Sequence, residues 1–455
     1  MLAIRIGLVA AVAVVATAVP AQAQQPLREV ELGVTTSDGQ VLPATLRLPP
    51  GATGPAPAIV LVHGAGPGPR EDYRAEAEAF ARKGIATLAY DKRTDGYSMV
   101  QRDYAQLAGD AVAAAGVLRG RPEIQRDGIG FLGISEGGWV APMAATRDPD
   151  AAFVITVGAS GVSPLRQQSW AEAVKAEHGG LDGSIVDAFS RTLYRLISGL
   201  GMFPEAYHDP APALRALTVP VLGIWGAKDI QCPPVESAAA FRSLLAASYT
   251  LRTFDGAEHA LRTTTDGYDR GPDLAPGYPE LVASWVGDVA AGHTPPTSAE
   301  GTGLQTRTSV EVPPLAWYES VPVQIAALLL MLAGFLGFAL SALWRRAGSP
   351  WPAWVLAATG TVAALGAPVY LGWLQFTAGG TPTTNGTIDA APLLAGRPLV
   401  WLGLQALAVI AVASGVATAV LLHRRGTGGR VRHGLLLAAG AVFAVWAFHW
   451  GLLLP

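Results

Sequence analysis

The chain is short of cysteine and of charge, and both shortages exclude functions. Cys232 is the one cysteine among 455 residues. A single thiol makes no internal disulfide and no thiolate metal cluster. Charged residues make up 15% of the chain, well under the roughly 25% of ordinary soluble domains. The shortfall is uneven. No Lys follows Lys228, no Glu follows Glu319, and Asp389 is the one acid beyond it. Up to about residue 320 the composition suits water; after that it suits lipid. From residue 321 onward, seven Arg against Asp389 give a net +6, and Arg5 gives +1 in the first 23 residues. The overall charge of −3 therefore leaves residues 24–320 with −10. A domain this acidic repels nucleic acid, so no such partner is expected.

What is present begins with an export signal. Arg5 supplies a positive start, residues 6–19 are apolar, Pro20 interrupts them, and Ala21-Gln22-Ala23 offers a small-x-small cleavage site. Residues 1–23 thus read as a signal peptide, with an uncleaved anchor as the alternative. Four later stretches, 321–344, 352–376, 399–422 and 434–453, are each long and apolar enough to cross a bilayer. Trp317, Tyr318, Trp344, Trp351, Trp373, Trp401 and Trp450 stand near their ends, as interfacial aromatics do. The connecting loop 345–350 carries Arg345 and Arg346, and loop 423–433 carries Arg424, Arg425, Arg430 and Arg432. Positive loops stay in the cytoplasm. The segment before residue 321 is then extracytoplasmic, where the signal also sends it. The predicted location is a multi-pass cell-membrane protein with the lipid bilayer as a partner. His449 reads as interfacial, and the spans read as an anchor. Asn385-Gly386-Thr387 matches a weak glycosylation pattern.

Residues 24–290 alternate short apolar runs with helix-like runs. That alternation predicts an α/β fold: a doubly wound, mostly parallel sheet covered on both faces. Residues 160–218 break the rhythm with helical sequence and predict a cap over the strands' C-terminal edge, where such folds bind ligands. Residues 291–320, rich in Pro, Thr and Gly, read as a linker to the all-α membrane region, 321–455.

Gly133-Ile134-Ser135-Glu136-Gly137-Gly138 follows an apolar strand and opens a helix. In a chain with 53 Gly the bare G-x-S-x-G pattern recurs by chance, so this context carries the reading. A tight strand-to-helix turn presents the serine hydroxyl at the sheet edge. Serine needs a base, and the base needs an orienting acid. Asp229 follows the strand-like run 219–226, and His259 follows the run 249–254. The order Ser135, Asp229, His259 fits. Asp255 and Glu258 are rival acids; His178, His208 and His293 are rival bases that follow no strand. Two backbone N–H donors should face the developing oxyanion. The turn Val62-His63-Gly64-Ala65-Gly66-Pro67 offers Ala65, and Glu136 follows the nucleophile. His63 is expected to support that turn rather than act as base. No cofactor or metal is called for.

These motifs, with Ala89-Tyr90-Asp91-Lys92-Arg93 and Gly226-Ala227-Lys228-Asp229, resemble the α/β-hydrolase family over about residues 28–290. The likeness is to its bacterial esterase and acyl-peptidase branch, related to dienelactone hydrolase and the prolyl oligopeptidases. It implies cofactor-free hydrolysis of esters, thioesters or peptides, with Asp91-Lys92-Arg93 structural. The expected activity is a serine esterase acting on a small or lipid-like acyl ester. A serine peptidase is the alternative, with Glu172, Glu177 and Asp187 of the cap as amine-binding candidates. An envelope acyltransferase and a non-catalytic membrane scaffold or sensor stay open.

Overall fold

The computed structural model describes residues 26–345, 349–377, 386–388, 390–425 and 430–455. The expected signal peptide at residues 1–23, Arg346 and Asn385 lie outside the described residues.

Nine strands form one sheet: β1 (Arg28–Thr35), β2 (Val41–Leu48), β3 (Ala56–Val62), β4 (Ala86–Tyr90), β5 (Ile124–Ile134), β6 (Val154–Val157), β7 (Val221–Gly226), β8 (Tyr249–Phe254) and β9 (Ser298–Glu300). Their order is β1-β2-β4-β3-β5-β6-β7-β8-β9. β1 and β2 pair antiparallel, as do β2 and β4; all other pairs are parallel. This is the doubly wound, mostly parallel sheet expected, with an antiparallel edge.

Two helical layers cover the sheet, because alternate strand residues point to opposite faces. Val60 and Val62 join a core with α2 (Tyr104–Arg119) and α3 (Gly137–Arg147). Ile59 and Leu61 join the opposite core with α1 (Arg74–Arg82) and α9 (Tyr278–Ala290). Each fully buried Leu or Val contributes about 1.5–3 kcal/mol. Helix starts follow local chemistry. Asp103 caps α2 by accepting the Gln106 N–H at 3.0 Å.

Between β6 and β7 lie α4 (Pro164–His178), α5 (Ser184–Asp187), α6 (Leu193–Gly199) and α7 (Ala211–Ala216). They occupy the stretch expected to form a cap. α8 (Pro234–Leu244) follows β7. The membrane-type helices are α10 (Val321–Arg345), α11 (Trp351–Thr377), α12 (Leu399–Arg425) and α13 (Arg430–His449). All four have the length and composition to cross a bilayer. They start or end within a few residues of the expected limits. Leu181, Ile185 and Phe189 of the cap share one core with Leu371, Leu374, Trp401, Leu404, Trp446 and Trp450 of the bundle. The cap therefore sits on one end of the bundle, the end away from Arg345, Arg424 and Arg432.

The expected linker is tied down along much of its length. Its residues 298–300 form β9 on the sheet edge. Further along, the Trp170 indole donates to the Arg307 carbonyl at 2.9 Å, and the Ser309 N–H donates to Glu236 at 2.8 Å. Composition pointed to a spacer because polar backbone contacts leave no apolar period to read.

Candidate active site

β5 runs into α3 through a turn with almost no free space. A Cβ on Gly133 would lie 1.9 Å from the Gly137 carbonyl oxygen, and one on Gly137 would lie 2.4 Å from the Val62 oxygen. Only glycine fits at either place. Ser135 between them has φ +56, a left-handed conformation rare for a side-chain-bearing residue. Its N–H donates to the Val157 carbonyl at 2.9 Å, which fixes the turn to the end of β6.

Asp229 lies just beyond β7 and is buried. Its Oδ1 accepts the N–H groups of Gln231 and Cys232, both at 2.8 Å. Oδ2 lies 2.8 Å from Nδ1 of His259, which is also buried. Gly158, next to the Ser135 partner Val157, abuts this ring: a Cβ there would lie 2.8 Å from Nδ1. The turn bearing Ser135 and the loop bearing His259 thus meet at the end of β6. Among the described residues, buried His259 Nε2 has no hydrogen-bond partner. Burial opposes its protonation, but the Asp229 charge and hydrogen bond outweigh burial and lift its pKa above the ordinary value.

The rivals are engaged elsewhere. Asp255 is exposed at its turn. Glu258 accepts the Ala260 N–H at 2.9 Å and pairs with Arg270 at 3.2 Å. His178 stacks on Tyr268, ring centroids 3.5 Å apart, and His208 packs on Tyr104. His293 is exposed after α9. His63 is buried, with Nε2 2.5 Å from the Tyr90 carbonyl oxygen. Burial lowers its pKa to about 4, so at neutral pH this nitrogen donates and supports the turn.

The turn after β3 carries a pattern that sequence reading missed. The Gly64 N–H donates to the Tyr73 hydroxyl at 2.7 Å, and the Gly66 N–H donates to the Tyr97 hydroxyl at 2.9 Å. Among the described residues, the Ala65 N–H between them has no acceptor, and neither has that of Glu136. The Glu136 carboxylate is buried and held by three groups: Lys92 Nζ at 2.6 Å, Arg102 Nη1 at 2.8 Å and the Tyr97 hydroxyl at 2.9 Å. Lys92 also donates to the Gly64 carbonyl at 2.6 Å. Burial lowers the Lys92 pKa to about 8, although Glu136 pulls it up. Lys92, set aside as structural, thus adjoins both turns.

Two of the cap acids are ion-paired. Glu172 contacts Lys175 at 3.2 Å, and Glu177 pairs with Arg307 at 2.6 Å. Glu177 and Asp187 line a cavity of about 480 Å³ shared with His449, where the cap meets the bundle. No three His, Cys, Asp or Glu side chains gather to hold a metal among the described residues.

Sheet order and the strained turn give the part ahead of α10 the α/β-hydrolase fold. Residues 72–272 match the prolyl oligopeptidase family. An esterase of Thermotoga maritima, EstD, is 27% identical over 216 residues, 42% of this chain and 50% of that protein. Mitochondrial acyl-coenzyme A thioesterase 2 of Rattus norvegicus is 40% identical over 110 residues, 23% of this chain and 22% of that protein. The chain thus spans half the length of the esterase and less than a quarter of the thioesterase. Of solved structures, 2,6-dihydroxy-pseudo-oxynicotine hydrolase aligns with TM-score 0.44 and 22% identity, over 61% of this chain and 72% of that one.

Proposed function

We propose that this chain is a membrane-embedded serine hydrolase that cleaves carboxylic esters on the extracytoplasmic side. Ser135 attacks the acyl carbonyl. His259 Nε2 takes the serine proton and later gives it to the leaving group. Asp229 orients the ring and stabilises the imidazolium. The Ala65 and Glu136 N–H groups hold the oxyanion, and water releases the acyl group. One observation carries the reading: a buried Asp229–His259 pair at 2.8 Å with Nε2 unpartnered, beside a strained serine turn.

Sidedness is supported by the bundle. The bundle ends that carry Arg345, Arg424 and Arg432 lie away from the cap, with Arg397 against Gly183 on the cap side, and the arginine-rich end is the one expected to face the cytoplasm. A leader at residues 1–23 fits the same orientation.

The prolyl oligopeptidase match favours a second reading, a serine peptidase. Against it, Glu177 is already neutralised by Arg307 and is a poor partner for a peptide amine. The test is fluorophosphonate labelling of the detergent-solubilised full chain beside Ser135→Ala. Labelling of the wild type alone is expected, and labelling of both would exclude Ser135 as nucleophile. Ester, thioester and aminoacyl panels then rank the leaving groups.

A further inference from the structure

α6 ends against the foot of the membrane bundle. A Cβ on Gly199 would lie 2.5 Å from Leu315 Cδ1 and 3.3 Å from Val321 Cγ2. Val321 is the first residue of the first span. Beside it the chain turns back: the Gly201 N–H donates to the Ser198 carbonyl at 2.9 Å and that of Met202 to Ile197 at 3.1 Å. The tip of this turn carries two large apolar side chains, Leu200 at 50% and Met202 at 52% exposure. Trp317 at 81% and Tyr318 at 58% stand just before Val321. Aromatics at that position mark the water–lipid boundary. The cap tip therefore stands beside the point where the first span enters the bilayer.

The same segment reaches the wall behind the nucleophile. Glu205, three residues past Met202, accepts the Tyr104 N–H at 3.4 Å. His208 packs on Tyr104 and Trp139, with centroids 5.0 and 6.4 Å away. Trp139 lies one helical turn after Ser135, and its indole donates to the Ser160 carbonyl at 3.1 Å. Fewer than a dozen residues join the apolar tip to the site.

We propose that Leu200–Met202 dips into the bilayer interface and that the site takes its substrate from that leaflet, as the acyl ester of a membrane lipid. This rests on the hydrolase reading above. Lipid covers apolar side chains that water would leave exposed, through the same burial that holds interfacial helices. The approach of Gly199 to Val321, four and three residues past Trp317 and Tyr318, commits the neighbouring Leu200 and Met202 to lipid.

The depth of the tip is measured on the full chain in phosphatidylcholine–phosphatidylglycerol vesicles. Cys232→Ser removes the native thiol, and Leu200→Cys accepts an environment-sensitive fluorophore. Blue-shifted emission and quenching by spin-labelled lipid are expected, against an aqueous signal from Thr53→Cys in the exposed turn before β3, at the opposite edge of the sheet from Ser135. Matching signals at the two positions would overturn the placement. Activity is read with Leu200→Ser/Met202→Ser. Hydrolysis of a vesicle-embedded long-chain ester should fall about tenfold, while a water-soluble short-chain ester and fluorophosphonate labelling stay unchanged. Equal retention of both ester activities, or their parallel fall, overturns the substrate assignment. Wild type that takes up no fluorophosphonate defeats the hydrolase reading instead, and the fluorophore still decides where the tip lies.

Discussion

The Lys92 ammonium lies 2.6 Å from Glu136 Oε1 and 2.6 Å from the Gly64 carbonyl. It thereby joins the turns after β3 and β5, whose Ala65 and Glu136 N–H groups are the proposed oxyanion donors. A buried carboxylate next to a developing oxyanion would oppose catalysis, and the Lys92 and Arg102 charges offset it. Lys92→Met should cost about 3 kcal/mol of stability, because Glu136 loses one of its two buried cationic partners. It should also lower kcat by up to about 100-fold through displaced donors, with KM for a short ester little changed. Thermal unfolding and steady-state kinetics in detergent measure both. An unchanged kcat would make the Lys92 bridge a matter of folding alone.

The pH profile separates the two buried histidines. His259 has a raised pKa, and a protonated imidazole accepts no proton from serine. Activity should therefore rise with pH through a midpoint above the ordinary 6.5 of histidine. His63, depressed to about 4, is neutral across that range and contributes no limb there. Asp229→Asn removes the anion that raises His259, so the midpoint of residual activity should move down. The rate should fall about 10⁴-fold. On the alkaline side Lys92 loses its proton near pH 8 and Glu136 loses compensation. A second, falling limb is expected there. It should move upward in Lys92→Arg, which keeps its charge. The groups facing Lys92 are Glu136, Arg102 and Tyr97, and burial pushes the Tyr97 hydroxyl well above this range.

Two glycines in different settings give opposite stability outcomes. Gly133→Ala would force a methyl group to 1.9 Å from the Gly137 oxygen. It should cost about 3 kcal/mol and abolish fluorophosphonate labelling. Gly116→Ala, on the exposed face of α2 with open space around it, should add roughly 0.8 kcal/mol. Unfolding temperatures of the two variants test whether the turn is as tight as its geometry implies.

How far the sequence could be read follows from the range of each signal. Ser135, Asp229 and His259 each follow a strand within a few residues, and their sequence order suits one sheet edge. Local patterning was therefore enough to propose them, and the fold brings Asp229 within 2.8 Å of His259. The spans were legible for the same reason, since twenty apolar residues are a local property. Lys92, Tyr97 and Arg102 were not legible: they meet Glu136 from 44, 39 and 34 residues away. No periodicity encodes such a convergence. Residues 291–320 read as a spacer because the ties made by 298–309 are backbone pairs and polar contacts to Glu236 and Trp170. Docking of the cap on the bundle stayed hidden too, since the cap helices carry mixed surfaces rather than one apolar stripe.

The link between cap and bundle rests partly on one ion pair. Arg195 of α6 donates to both oxygens of Glu319, at 2.9 and 2.6 Å, and to the Pro313 and Pro314 carbonyls at 3.0 and 3.1 Å. Glu319 sits just ahead of α10, so the pair pins the cap to the start of the first membrane-type helix. Bidentate, charge-assisted bonds of this kind contribute about 1.5–3 kcal/mol. Arg195→Ala should lower the unfolding temperature of the soluble part and hasten proteolysis of the 298–319 segment. Arg195 holds the Glu319 carboxyl below its usual pKa. A depressed folded-state pKa means the contribution is present above the ordinary carboxylate value of 4.5 and is lost as pH falls through the folded value. The stability gap between wild type and Arg195→Ala should therefore be full at pH 7 and shrink as the medium is acidified below about 4.5. A gap that holds constant through that range would show that Arg195 acts through the two proline carbonyls rather than through Glu319.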